Sequence, residues 1–353
     1  MKRGLIAAPP HRAGPDVPTV LVIPDGAAQP PRPRTPTSLE SARTPALDEL
    51  AAVGNVVRVA TTPPGLPAGS ETGIASLLGL PPRQRVGRGW VDAAAYGIEV
   101  PDGMTPWRAD LLYRSGKRAS IRQARDVCAH LGRGAHAVSG HRLLLLAAER
   151  PADRRLLGLH VRVWPAGTPP AGAVPLETVV VSARGAAAGS ARLLGAAVLT
   201  PPGATGDVDT DLRAKTHAAI SALASGAERV VVHFGAPDEA AHRREPDAVV
   251  GALERLDREL LAPLCEAVAA RGGRLAMCPD HGTDPFTGRH DPAPVPGVVW
   301  GEGIAARGPE VLTERAVRGA PVIGADRLLD AHPAGRARGS RAAAPPAMIA
   351  GAT

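Results

Sequence analysis

Lysine is almost missing from this chain. Only Lys2, Lys117 and Lys215 occur, against 38 arginines (41 basic residues less 3) distributed along the whole length. Arginines that gather in no tail or stripe make no nucleic-acid footprint, so a net charge of +7 and a pI near 10.1 imply neither DNA nor RNA. Aromatics are scarce too: four Trp, two Tyr and two Phe are too few for a surface that works by base stacking. The three cysteines, Cys128, Cys265 and Cys278, lie far apart and form no C-x-x-C pair. That excludes a disulfide framework and a zinc knuckle, and suits a reducing cytoplasm. No apolar run approaches the roughly 18 residues of a membrane span. The apolar stretch after Lys2 is broken by Pro9 and Pro10 before it reaches signal-peptide length, so export is not expected. With 44% hydrophobic and 21% charged residues over 353 positions, the chain has enough apolar content for a sizeable core.

Residues 1–17 and 333–353 are Pro-, Gly- or Ala-rich without periodicity and read as frayed ends. Between them, three apolar runs each close on an acid: TVLVIPD at Asp25, RVVVHFGAPD at Asp238 and RLAMCPD at Asp280. Continuous apolar runs bounded by turn residues suit strands buried on both faces, as in a parallel α/β sheet, and such sheets bind ligands at the carboxyl ends of their strands. Helices alternate with them. In TPALDELAAVG, Thr44 can cap the start, Pro45 suits the first helical position and Gly54 can end the helix. A second helix in the stretch from Glu245 to Gly273 carries Val249, Leu253, Leu256, Leu260 and Leu264 on one stripe. From 108 to 200 the pattern changes to short apolar runs (HRLLLLAA, LHVRVWP, ETVVVSA) between Gly, Pro and Arg, which reads as an inserted α+β unit. Residues 18–107 and 201–332 then form the host domain.

The carboxyl edge of such a sheet would gather Asp25, Asp238 with His242, Asp280 with His281, and His290. Three carboxylates at one edge repel one another unless cations neutralise them, and mixed Asp/His ligation suits Mn²⁺, Zn²⁺ or Fe²⁺ better than Ca²⁺. The i,i+4 spacing of Asp238 and His242 places both on one helix face. His233, inside VVVHFG, reads as a hydrogen-bonded core histidine. Ser70 in PAGSETGIASLLG would sit at a helix N-terminus, where free N–H groups favour a phosphate. It is either a nucleophile, its pKa lowered by a bound metal, or simply an N-cap.

The ordered motifs IPDGAAQ, SARTPALDELAAVG, PAGSETGIASLLGL, VGRGWVDAAAYGIEV, PGATGDVDTDLRAKTHAA, VVHFGAPDEAAH, ERLDRELLAPL, CPDHGT and HDPAPVP resemble the archaeal-type 2,3-bisphosphoglycerate-independent phosphoglycerate mutases of the alkaline phosphatase superfamily. The resemblance covers roughly 200 residues, in the first third and after Pro201. It implies an alkaline-phosphatase-like α/β fold: a central, mostly parallel sheet flanked by helices, with a smaller inserted α+β domain. It also implies two divalent ions, Mn²⁺ foremost, with Zn²⁺, Co²⁺ or Mg²⁺ as alternatives. Residues matching Asp238, His242 and His290 hold one ion; those matching Asp25, Ser70, Asp280 and His281 hold the other.

By the same resemblance, Ser70 takes the phosphoryl group as a phosphoserine and returns it to the other hydroxyl of glycerate. The expected activity is that of a cytoplasmic, glycolytic isomerase. Its partner is a small anionic phosphorylated substrate, with no nucleic acid or membrane involved. Arg88 and Lys215 fall in matched motifs and are expected to meet the substrate, as are Arg108, His141 and Arg142 in the insert. Departures touch this half of the site. The stretch from Ser70 to Asp238 spans 168 positions (238 − 70) and looks short for the family. Asp110 stands where relatives carry an amide, a carboxylate that an arginine must offset. A metal-dependent phosphomonoesterase, or a mutase or phosphotransferase for another phosphorylated or phosphonylated small acid, is the alternative.

Overall fold

The run TVLVIP forms β1 (Thr19–Pro24), and Val20, Leu21, Val22 and Ile23 are all fully buried, two on each face. Val20 and Val22 join one core and Leu21 and Ile23 another, so β1 lies at the centre of a sheet covered on both sides. The computed structural model describes residues 17–329, so the expected frayed ends fall outside the described residues except for Val17. β2 (Asn55–Ala60) follows the helix Pro45–Val53. The chain then leaves to build a separate antiparallel sheet from β3 (Thr105–Leu112), β4 (Ala135–Ser139), β5 (Arg142–Ala147), β6 (Arg154–Leu156) and β7 (Leu159–Val163). Their order is β4-β5-β3-β7-β6, with the helix Ile121–Leu131 packed on them around a core of their own.

Next come β8 (Thr178–Val181), β9 (Ala197–Leu199), β10 (Arg229–Phe234) and β11 (Arg274–Met277), a small hairpin of β12 (Gly282–Asp284) and β13 (Arg289–Asp291), then β14 (Val295–Gly301) and β15 (Val322–Gly324). The central sheet runs β15-β2-β14-β11-β1-β10-β8-β9, and every neighbouring pair is parallel except the two that β14 makes, with β2 and with β11. The expected mostly parallel α/β sheet with a second α+β layer is therefore present.

The boundary of the insert differs from the sequence reading. The second sheet ends at Val163, and ETVVVSA supplies β8, which pairs with β10 in the central sheet. A four-residue apolar strand fits either sheet. The following helix Ala186–Leu193 decides the matter by burying Ala187 and Ala191 in the same core as Ile74 and Leu77.

Two local details also differ. Thr44 makes no side-chain cap. Instead the Asp257 carboxylate accepts hydrogen bonds from the N–H groups of Ala46 (3.1 Å) and Leu47 (2.8 Å). The apolar stripe from Val249 to Leu264 is buried, but its helix is interrupted by a π-helical turn over Asp257–Leu261.

Candidate active site

β10, β1 and β11 are adjacent, so their carboxyl ends bring Asp25, the helix bearing Asp238, and Asp280 to one edge. Gly26 makes the approach possible. Its φ is +60°, and a Cβ there would lie 2.6 Å from Asp238 Oδ1. Its N–H donates to Asp280 Oδ1 at 3.1 Å. The β12–β13 hairpin sets His290 opposite Thr283, two residues after His281.

The imidazoles share one design. His242 Nδ1 lies 2.9 Å from the Gly288 carbonyl, His290 Nδ1 3.0 Å from that of Ala68, and His281 Nδ1 3.1 Å from that of Gly282. A carbonyl only accepts, so in each case Nδ1 is the nitrogen that donates to the backbone, and Nε2 is the one turned toward the acids, where a bound cation would take the place of its proton. His242 Nε2 and His290 Nε2 face each other at 3.0 Å, with Asp238 oxygens at 3.2 and 3.5 Å. His281 Nε2 lies 3.3 Å from Asp25 and 3.7 Å from Asp280. Asp280 Oδ2 is buried without a hydrogen-bond partner. Converging imidazole nitrogens and an orphaned buried carboxylate oxygen fit divalent metal, because bound cations satisfy both kinds of group.

The charges tell the same story. Burial, and next the charge of Asp25, push the Asp280 carboxyl well above the ordinary range. Burial and Asp238 also oppose ionisation of Asp25, but hydrogen bonds with His233 and His281 hold it below its usual value. Burial works likewise against Asp238, and His242 and His290 pull it well down.

Ser70 opens the helix Ser70–Leu77, and Gly69, not Ser70, occupies the cap position. Its hydroxyl donates toward Asp25 at 3.2 and 3.3 Å and lies 3.4 Å from His281 Nε2. The hydroxyl is therefore directed at the ligand cluster and not at its own helix.

Across from this cluster, the insert closes a cleft of about 490 Å³ lined by Ser70, Asp25, Asp238, His242 and His290, and by seven arginines. Arg88, Arg108, His141 and Arg142 all reach it, while Asp280 and His281 lie fully buried behind its floor. Arg108 lies 3.4 Å from both Asp92 and Asp110. The Trp164 indole donates to Asp110 at 2.8 Å, and His141 is 3.8 Å away. Burial opposes the Asp110 charge, yet Arg108 and His141 hold its carboxyl below the ordinary range. Burial lowers His141 to about 4. Arg108 is the main cause of a lowered Arg142, whose buried Nε has no partner.

Lys215 requires a correction. It is fully buried beneath β10, where its Nζ donates to the His233 carbonyl at 3.0 Å, and it does not line the cleft. The helix Leu212–Ala224 turns that face inward, so the residue supports the strand instead of meeting a substrate. His233 departs in the opposite direction. Its Nε2 lies 3.2 Å from Asp25 Oδ2, and it groups with Asp25 and Asp280 as a possible cation ligand. Glu71, Glu239 and Trp164, which the sequence did not single out, also line the cleft.

A family model described as the metalloenzyme superfamily matches residues 17–320. Among curated relatives, a 2,3-bisphosphoglycerate-independent phosphoglycerate mutase of Methanothrix thermoacetophila is 27% identical, covering 79% of this chain and 88% of its own. One from Methanothermobacter thermautotrophicus is 26% identical, covering 85% and 92%. The PH0037 protein of Pyrococcus horikoshii shares the fold with a TM-score of 0.73 at 24% identity, over 89% of this chain and 94% of that one. The cofactor-independent phosphoglycerate mutase of Thermoplasma acidophilum does so with a TM-score of 0.56 at 18% identity, over 89% and 98%.

Proposed function

The chain belongs to the metalloenzyme superfamily, and we propose that it is a phosphoryl-transfer enzyme that interconverts 3-phosphoglycerate and 2-phosphoglycerate through a phosphoserine at Ser70. The observation that carries this is the Ser70 hydroxyl, 3.2 Å from Asp25 and 3.4 Å from His281, aimed at the ligand cluster and free of any capping bond. The relatives named as phosphoglycerate mutases support the substrate.

In this reading Asp238, His242 and His290 would hold one divalent ion, and Asp25, Ser70, Asp280 and His281 the other, with Mn²⁺ the expected metal. When bound, such ions neutralise phosphate charge and lower the pKa of a coordinated hydroxyl. Ser70 Oγ gives up its proton and forms a bond to phosphorus as the bond to the 3-oxygen breaks, and that oxygen takes a proton. The 2-hydroxyl then attacks the phosphoserine and gives up its proton, and the released Ser70 oxygen takes one. Arg88, fixed 3.1 Å from Glu71 beside the nucleophile, meets the phosphoryl group. Arg108 and Arg142 meet the carboxylate. The unpartnered Arg142 Nε and the mutual repulsion of the two guanidinium groups leave a position that an anion fills. A reducing cytoplasm suits the three free cysteines.

The test is phosphorus NMR of the Mn²⁺-supplemented protein with 3-phosphoglycerate. Formation of 2-phosphoglycerate without free phosphate is expected, and Ser70→Ala is expected to lower turnover at least about 10³-fold while metal still binds. Full activity in Ser70→Ala overturns the phosphoserine route. Phosphate release alone makes the enzyme a phosphomonoesterase.

A further inference from the structure

Trp164 is one of only eight aromatic residues in the chain, yet it stands in the cleft wall. It lies directly after β7, where the chain leaves the insert, with the Arg162 guanidinium carbon 5.3 Å from its ring centre, and three closer contacts fix it. Its backbone N–H donates to the Arg108 carbonyl at 2.8 Å, and its indole N–H donates to Asp110 at 2.8 Å. Across the cleft, the guanidinium carbon of Arg88 lies 4.3 Å from the centre of its ring. Arg88 belongs to the helix Arg88–Tyr96, which starts just after the host-domain loop 85–87. Its Nε is held by Glu71, and its Nη2 comes within 3.5 Å of where a side chain on Gly69 would begin, directly before Ser70. One ring thus touches the cation beside the nucleophile and the acid that sets the arginines of the insert. The backbone reinforces this: Gly87 N donates to Thr168 O at 2.8 Å, and Thr168 N donates to Arg85 O at 3.0 Å.

We infer that Trp164 is a positioning residue that holds Arg88 against the phosphoryl position and registers the insert over Ser70, so that the phosphoserine is transferred to the retained glycerate instead of to water. The inference rests on the proposed mutase reading for its second half; the first half, fixing Arg88, stands apart from it. An arginine with only Glu71 to hold it would swing on its aliphatic stem. The stacked ring removes that freedom, and with it much of the entropy that phosphate binding would otherwise cost. The ring also fills the cleft wall beside Arg88. Without it water reaches the intermediate, and hydrolysis competes with return transfer.

The test compares Trp164→Phe, which keeps the stacked face and loses the indole N–H, with Trp164→Leu, which loses both. Inorganic phosphate is the probe in calorimetry on the Mn²⁺-supplemented full chain. Its affinity is expected to fall about tenfold in Trp164→Leu and less than about threefold in Trp164→Phe, as loss of one cation–π contact implies. In phosphorus NMR, free phosphate formed per 2-phosphoglycerate is expected to rise in Trp164→Leu and to stay near the wild-type ratio in Trp164→Phe. Wild-type phosphate affinity in a folded Trp164→Leu variant overturns the inference. So does an unchanged product ratio in that variant when the wild type is a mutase. If the wild type forms no 2-phosphoglycerate, the mutase reading fails by itself and phosphate affinity still decides the role of Trp164. Should Trp164→Leu fail to fold, wild-type fluorescence decides: saturating phosphate must change the emission component that Trp164→Phe removes, and no change overturns the inference.

Discussion

On the sheet side of the cleft, Asp25, Asp238 and Asp280 crowd together with imidazoles as their main counterweight, and Asp280 keeps one oxygen without a hydrogen-bond partner. On the insert side the crowding is of arginines, and Asp92, Asp110 and Glu239 each face at least one of them. Both walls concentrate like charge, but the arginines of the insert find acids, Asp110 in the insert itself and Asp92 and Glu239 in the host domain, while the sheet edge leaves its deficit open. A wall that is balanced without a ligand is organised in advance for an anion that adds to it. A wall with an open deficit is organised for cations that complete it.

The sharpest way to break this contrast is Asp280→Asn. Loss of a ligand is expected to reduce turnover at least about 10³-fold. In metal-free protein the same change removes a repelled buried charge and is expected to raise the thermal midpoint; a lower midpoint would mean that the sheet edge is balanced without metal.

Lys215 offers a buried charge with neither kind of compensation, since its single polar contact is a carbonyl. Burial lowers its pKa from 10.5 to about 8. Between those values the unfolded chain binds more protons than the folded one, so stability rises with pH across that window, by at most roughly 3 kcal/mol. Lys215→Met is expected to remove the rise and to stabilise the protein at pH 7, as chemical denaturation would measure.

Asp110→Asn should behave oppositely to Asp280→Asn. It takes a stabilised carboxylate from Arg108 and is expected to cost about 2 kcal/mol in denaturant melts. The smallest effect belongs to Glu239, which pairs across the cleft with Arg118 at 3.1 Å and Arg142 at 3.4 Å. Arg118 is well exposed, so Glu239→Gln is expected to change stability by less than about 1 kcal/mol, with its main effect a severalfold change in KM that weakens with salt.

The sheet-side wall was largely legible in the sequence because its residues announce themselves twice: each acid closes an apolar run, and each run is a central strand of the sheet. His233 was not, since in a strand buried on both faces nothing in the spacing distinguishes a core histidine from one at the strand's carboxyl end. Lys215 misled for a related reason. Its rarity in an arginine-rich chain marked it as special, but composition says nothing of which helix face turns inward. The insert wall was only partly legible. Arg108, Arg142 and His141 were identified, while Trp164, Glu71 and Glu239 owe their place to a docking of two layers that leaves no periodic trace. The end of the insert was misplaced because the short run at β8 has no local feature that names its partner, and only the helix that follows supplies one.

The strand order also sets a timetable. β1 precedes every other described strand, yet both its neighbours, β10 and β11, follow the whole of the insert. The contact between Gly26 and Asp280 spans 254 residues. The insert, by contrast, pairs its strands within residues 105–163 and has its own core. On a ribosome it can fold while β1 still waits for its partners. The arginine wall is then finished well before the acids have anything to face, and the cleft comes into being only when the hairpin carrying His290 emerges.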